Sequence, residues 1–152
     1  MTMAGFAAAP LDHAAIARLV PHAGDMCLLD RTLEAGEAHL LCSARSHRDP
    51  ANPLRGAGGL PATAAIEYAA QAMALHGALV AERQGAPSTP GLLASARGVR
   101  LHRLRLDDLA GELRIRVERQ AGDARQILYA FRIEHDGACV AEGRAAVVLD
   151  PA

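Results

Sequence analysis

Between Pro61 and Gln84 the chain runs 24 residues with a single glycine, Gly77, no further proline and nine alanines. Alanine is the best helix former, and proline is accepted in a helix's first turn because its missing N–H has no intrahelical partner there. The segment therefore reads as one helix of about 36 Å, at about 1.5 Å per residue. Ile66, Ala70, Met73, Gly77 and Val80 recur at three-to-four spacing and form an apolar stripe. Alanines over much of the remaining circumference imply burial on more than one side. Any fold for this chain must wrap its other elements around that rod.

With 152 residues, 51% hydrophobic and 22% charged, the chain has the size and composition of one packed domain, taken as 1–152 with 1–10 as a flexible lead. It has 34 alanines, no lysine, and only four aromatic side chains, Phe6, Tyr68, Tyr129 and Phe131. So few aromatics cannot form a stacking platform for bases, and a net charge of -1 supplies no field toward nucleic acid. Residues before Arg18 carry no positive charge, unlike a secretory signal, and no apolar run approaches the roughly 20 residues that span a bilayer. Cys27, Cys42 and Cys139 are scattered, without a C-x-x-C pair, and no two of the seven histidines have the i, i+4 spacing of a helical metal pair. A cytoplasmic protein without metal or cofactor is expected.

Asp12 is a candidate N-cap for a short helix ending at Pro21. Met26 to Leu33 and His39 to Ser46 read as a strand pair, followed by a shaped loop, 47–60, with two prolines and three glycines. After the long helix, Leu92 to Arg103, Glu112 to Gln120, Ala124 to His135 and Ala138 to Leu149 read as strands, with Asp136-Gly137 a two-residue hairpin turn. Leu113, Ile115 and Val117 alternate with Arg114, Arg116 and Glu118, and Ile127, Tyr129, Phe131 and Ile133 repeat the pattern. The expected architecture is α+β, an antiparallel sheet of about six strands wrapped on one long helix, which is the plan of a hot-dog fold. Open sheet edges point to a homodimer at least.

Glu67 places a carboxylate near the start of the alanine helix, either on a solvated strip near the positive end of the dipole or as a working group. Gln71 shares its face at i+4. Gly56, Gly58 and Gly59 allow close backbone approach before the helix, and N–H groups there can polarise a carbonyl oxygen as an oxyanion hole does. His22 and His47 sit in loops. His76, nine residues beyond Glu67, lies half a turn out of phase on an ideal helix and is not expected to meet it. The basic run Arg97, Arg100, His102, Arg103 and Arg105 reads first as a solvated strand face and second as a dock for an acidic or phosphate-bearing partner.

Val20-Pro-His-Ala-Gly-Asp-Met-Cys-Leu-Leu-Asp-Arg31, Asn52-Pro-Leu-Arg-Gly56 and Leu60-Pro-Ala-Thr-Ala-Ala-Ile-Glu-Tyr-Ala-Ala-Gln-Ala-Met73 together resemble the hot-dog 3-hydroxyacyl-acyl-carrier-protein dehydratases. The closer resemblance is to a divergent branch associated with bacterial aryl-polyene and polyketide-like pigment clusters. It covers residues 16–149 and is most specific at Pro61, Glu67 and Gln71. The resemblance implies that Glu67 is the acidic half of a catalytic pair, with Gln71 orienting it. The chain departs from the fatty-acid dehydratases in lacking the Gly-His-Phe-Pro-Gly segment before the helix, so His22 or His47 would have to act as base. Asn52, Gly58, Gly59, Leu60 and Pro61 are expected to line the substrate, with the Gly59 and Leu60 N–H groups on the thioester carbonyl. The expected reaction removes water from a 3-hydroxyacyl thioester on acyl carrier protein or coenzyme A. An acyl thioesterase, or a half-site subunit paired with a second hot-dog protein, are the alternatives.

Overall fold

The structure, a computed structural model, describes residues 10–20, 26–87 and 89–149. Helix α1 (His13–Leu19) is capped by Asp12, whose side chain accepts the Ala15 N–H. Strands β1 (Arg31–Ala35) and β2 (His39–Ala44) lead to helix α2 (Ala65–Arg83), followed by β3 (Gly91–Leu101), β4 (Leu113–Gly122), β5 (Gln126–His135) and β6 (Ala138–Leu149). One antiparallel sheet in the order β1-β2-β4-β5-β6-β3 curls around α2. This is a hot-dog fold.

The alternation expected for β4 and β5 fixes which face meets the helix. Leu113, Ile115, Val117, Tyr129, Phe131 and Ile133 are all buried, whereas Arg114, Glu118 and Arg132 face solvent. The Asp136-Gly137 turn has φ of 50° and 81°, the left-handed conformations of a two-residue hairpin.

Two expectations are corrected. Helix α2 is shorter than 24 residues, because Ala62–Ala64 form a 3-10 turn after Pro61 and the α-helix begins at Ala65. Its core face is made by Ala65, Tyr68, Ala69, Ala72, Leu75 and Leu79. The stripe of Ile66, Ala70, Met73, Gly77 and Val80 is mostly only half-buried. Small alanines meet the sheet closely, so both faces are apolar and periodicity alone cannot rank them. Strand β1 also begins later than expected. Residues 27–30 are buried or half-buried, but Leu28 gives its N–H to Gln71 and its carbonyl to Ser46 instead of to a ladder.

Among the described residues, no helix is long and apolar enough to cross a membrane.

Candidate functional site

The approach to α2 is held from outside the helix. Leu106 N–H donates to the Leu60 carbonyl at 2.9 Å and Ala62 N–H to the Leu104 carbonyl at 3.0 Å. Asp107, only 6% exposed at its side chain, accepts the Leu60 N–H at 2.9 Å and is clasped by Arg105 at 2.6 and 3.0 Å. The Arg105 hydrogen bonds and the Leu60 N–H hold its carboxyl well below the usual carboxylate range. Gly59 makes this possible. Its φ is +99°, and a Cβ there would stand 2.6 Å from both Asp107 carboxylate oxygens.

Glu67 follows in the first turn of α2, where the helix dipole favours an anion. Gln71, fully buried, fixes its surroundings. The Gln71 side-chain oxygen accepts the Leu28 N–H at 2.9 Å, which leaves its NH₂ to donate to the Met26 carbonyl at 2.6 Å and to Glu67 Oε1 at 3.3 Å. Glu67 opens onto a groove of about 710 Å³, the size of a small-molecule pocket. Val20, Ala70, Met73, Gly77 and Val147 supply apolar walls. The half-buried stripe of α2 is thus largely the floor of this groove, which suits a hydrocarbon chain ending near a carboxylate.

Tyr68, next to Glu67, anchors the neighbouring loop. Ser46 donates its hydroxyl to the Leu28 carbonyl at 2.7 Å, so the Tyr68 hydroxyl donates to Ser46 at 2.7 Å and accepts from Asn52 at 3.3 Å. Burial pushes the Tyr68 phenol up to about 12, so it stays a donor. This Ser46-Tyr68-Asn52 network, joining three separate segments, had no signal in the spacing.

The expected site residues separate into two groups. Glu67 and Gln71 are brought together. His22 lies outside the described residues. His47 is completely buried, its Nε2 donating to the Leu109 carbonyl at 2.9 Å and its Nδ1 without a partner. Asn52 faces inward, with its amide donating to the Ser46 carbonyl and to Tyr68 and accepting from Leu54. The Gly59 N–H is bonded to the Gly56 carbonyl and the Leu60 N–H to Asp107, so the expected carbonyl donors are already engaged within the chain. Gly58 and Pro61 are exposed. His76 lines the same groove as Glu67 but is spent on the core. Its Nε2 donates to the Gly36 carbonyl at 2.9 Å and its Nδ1 accepts from the Tyr129 hydroxyl at 2.8 Å. Within the basic run, Arg103 pairs with Asp108, Arg105 with Asp107, and His102 lies 2.9 Å from Glu142.

The site is thus a carboxylate near the head of a hot-dog helix, lining an apolar groove. The chain belongs to the ApeP-like dehydratase family, whose description, ApeP dehydratase, it matches over residues 14–151. Among solved structures, it is similar to the dehydratase heterocomplex ApeI:P from Xenorhabdus doucetiae, with a TM-score of 0.80 and 23% identity over 89% of this chain and 90% of that one. A thioesterase from Haemophilus influenzae shares the fold with a TM-score of 0.64 and 12% identity, covering 92% of this chain and 91% of that one. Zebra fish thioesterase superfamily member 2 does so with a TM-score of 0.63 and 11% identity, over 92% of this chain and 99% of that one. Among curated proteins, none matches the chain significantly.

Proposed function

We propose that the chain dehydrates 3-hydroxyacyl thioesters carried on an acyl carrier protein or coenzyme A, with Glu67 as acid and His22 as base. The observation that carries this reading is Glu67, hydrogen-bonded to Gln71 and lining an apolar groove of about 710 Å³.

In this reading the base is His22, the candidate histidine left once the His47 ring is committed to the Leu109 carbonyl. Val20 lines the same groove as Glu67, and the Met26 carbonyl is bonded to Gln71, which is bonded to Glu67. His47 and His76 are buried with a ring nitrogen committed to a backbone carbonyl, and are better suited to holding the fold.

In the reaction, His22 removes a proton from the carbon next to the thioester carbonyl. Glu67, entering as the carboxylic acid, protonates the departing hydroxyl one carbon further. The C–H and C–O bonds break, the double bond forms and water leaves. Return of the proton from imidazolium to carboxylate resets the pair. Because the Leu60 N–H is taken by Asp107, the thioester carbonyl is polarised by a donor from elsewhere, for which a second hot-dog chain across an open sheet edge is the natural source. The ApeI:P neighbour is itself a heterocomplex, which supports that reading.

The test is to supply a 3-hydroxyacyl-carrier protein to the purified chain, alone and with a second hot-dog protein from the same genomic neighbourhood, while following enoyl product and free thiol. Enoyl product is expected. Glu67→Gln and His22→Gln are each expected to lower the rate by about 10²- to 10⁴-fold. His47→Gln, which keeps a donor for Leu109, retains the rate of the folded protein. Full activity in Glu67→Gln, or free thiol without enoyl product, overturns the assignment.

A further inference from the structure

The Asp136-Gly137 turn returns the chain so that Cys139 opens β6, alongside the end of β3. Leu101 is paired with Ala141 and Arg100 with Glu142, and the His102 N–H donates to the Val140 carbonyl at 2.9 Å. Three chemically different ligands meet at this end of the sheet. Glu142 Oε2 is 2.9 Å from His102 Nε2 and 3.5 Å from Cys139 Sγ, and the three atoms all lie within 4.8 Å of one another.

We infer that His102, Cys139 and Glu142 form a binding site for one thiophilic divalent cation of the zinc class. The Cys139 thiol donates weakly to the same Glu142 oxygen and to the Ala141 carbonyl, each at 3.5 Å, so its sulfur already faces the pair formed by His102 Nε2 and Glu142 Oε2. Tetrahedral zinc, with bonds of about 2.0 Å to nitrogen and oxygen and about 2.3 Å to sulfur, separates its ligand atoms by about 3.3 to 3.6 Å. The two Glu142 distances are within a few tenths of an ångström of that range. His102 and Glu142 side chains are 42% and 36% exposed, leaving access for the cation and a fourth position for water. Arg132 stands 3.9 Å from the other Glu142 oxygen, Oε1, so Oε2 is turned toward the cysteine and histidine, and Glu134 shares the arginine's charge.

The charges balance as well. One thiolate and one carboxylate neutralise a dication, while His102 binds through Nε2 with its proton on Nδ1. Binding the cation releases the thiol proton to solvent. None of the three residues lines the Glu67 groove, so the site stands apart from the proposed reaction.

The experiment uses full-length protein stripped with a chelator and titrated with Co²⁺, then Zn²⁺. The expected result is one Co²⁺ per chain, a thiolate-to-cobalt charge-transfer band, and displacement by an equivalent of Zn²⁺. Cys139→Ser removes the band. His102→Ala and Glu142→Gln each weaken Zn²⁺ binding at least about 10-fold, the order seen when a metal site loses a supporting group. Circular dichroism of the metal-free variants should match the parent. Lack of the band, or a band and affinity unchanged in Cys139→Ser and His102→Ala, overturns the site and assigns any binding to other histidines.

Discussion

Two buried histidines, His47 and His76, carry the residue-scale balance between stability and pH. Burial lowers the pKa of each below the ordinary 6.5. The unfolded chain therefore binds protons that the folded chain refuses, and stability falls as pH drops through 6.5 until the folded pKa is reached. The loss is at most about 1.4 kcal/mol per histidine for each pH unit in that window. His76 is the sharper probe because both its nitrogens are used. In His76→Leu the Gly36 carbonyl and the Tyr129 hydroxyl lose their partners, at about 1 to 3 kcal/mol for each buried group left unsatisfied. Urea denaturation of His76→Leu at pH 7.5 is expected to show a loss of about 2 to 4 kcal/mol. The same variant should lose part of the parent's decline between pH 7 and 5.5. A parallel acid decline in parent and variant would place the sensitivity in other groups.

At the scale of elements, the start of α2 depends on a contact the chain closes over a long loop. Asp107 meets the Leu60 N–H across 47 residues of sequence, and only a glycine at 59 leaves room for the carboxylate. Gly59→Ala combines a positive φ with a Cβ that would stand 2.6 Å from the Asp107 oxygens. The expected cost is about 2 kcal/mol or more in urea denaturation, with faster hydrogen exchange at Leu60. If Gly59→Ala were as stable as the parent, the Asp107 clasp would not be holding the junction. Such contacts explain what was and was not legible beforehand. Strand β6 has the bounds expected from sequence, and it starts directly after the Asp136-Gly137 turn, a local signal. The Glu67-Gln71 contact was legible because i, i+4 residues share a helix face. Asp107, the Ser46-Tyr68-Asn52 network and the His102-Cys139-Glu142 cluster join segments far apart in sequence, and no spacing rule reaches them. The groove-lining stripe of α2 was visible as a pattern, but which apolar face meets the sheet was not, because alanine makes the opposite face equally apolar.

For the whole molecule, the two edges of the sheet are treated differently. Edge strand β1 is only five residues long and carries a bulge between Thr32 and Glu34. Leu11 covers part of it, exchanging hydrogen bonds with Thr32 through its carbonyl at 3.0 Å and its N–H at 2.8 Å. Edge strand β3 is 11 residues long, and Leu92 on it is 73% exposed. A long edge with unpaired backbone groups and apolar side chains is a template for another strand, and folded proteins rarely leave one bare. Two β3 strands meeting antiparallel would extend the sheet across two chains, and Leu92 and Leu93 also border the Glu67 groove, so assembly would help to wall the proposed site. The purified chain is therefore expected to run in size-exclusion chromatography with light scattering at twice its 15.9 kDa, or as a mixed dimer when a second hot-dog chain is present. Leu92→Lys should weaken assembly at least about 10-fold, the loss of roughly 1.4 kcal/mol that an interface anchor supplies. Fold content should be unchanged, and enoyl formation should fall in step with dissociation. A Leu92→Lys protein that assembles and turns over like the parent would mean that the exposed β3 edge is not the joining surface.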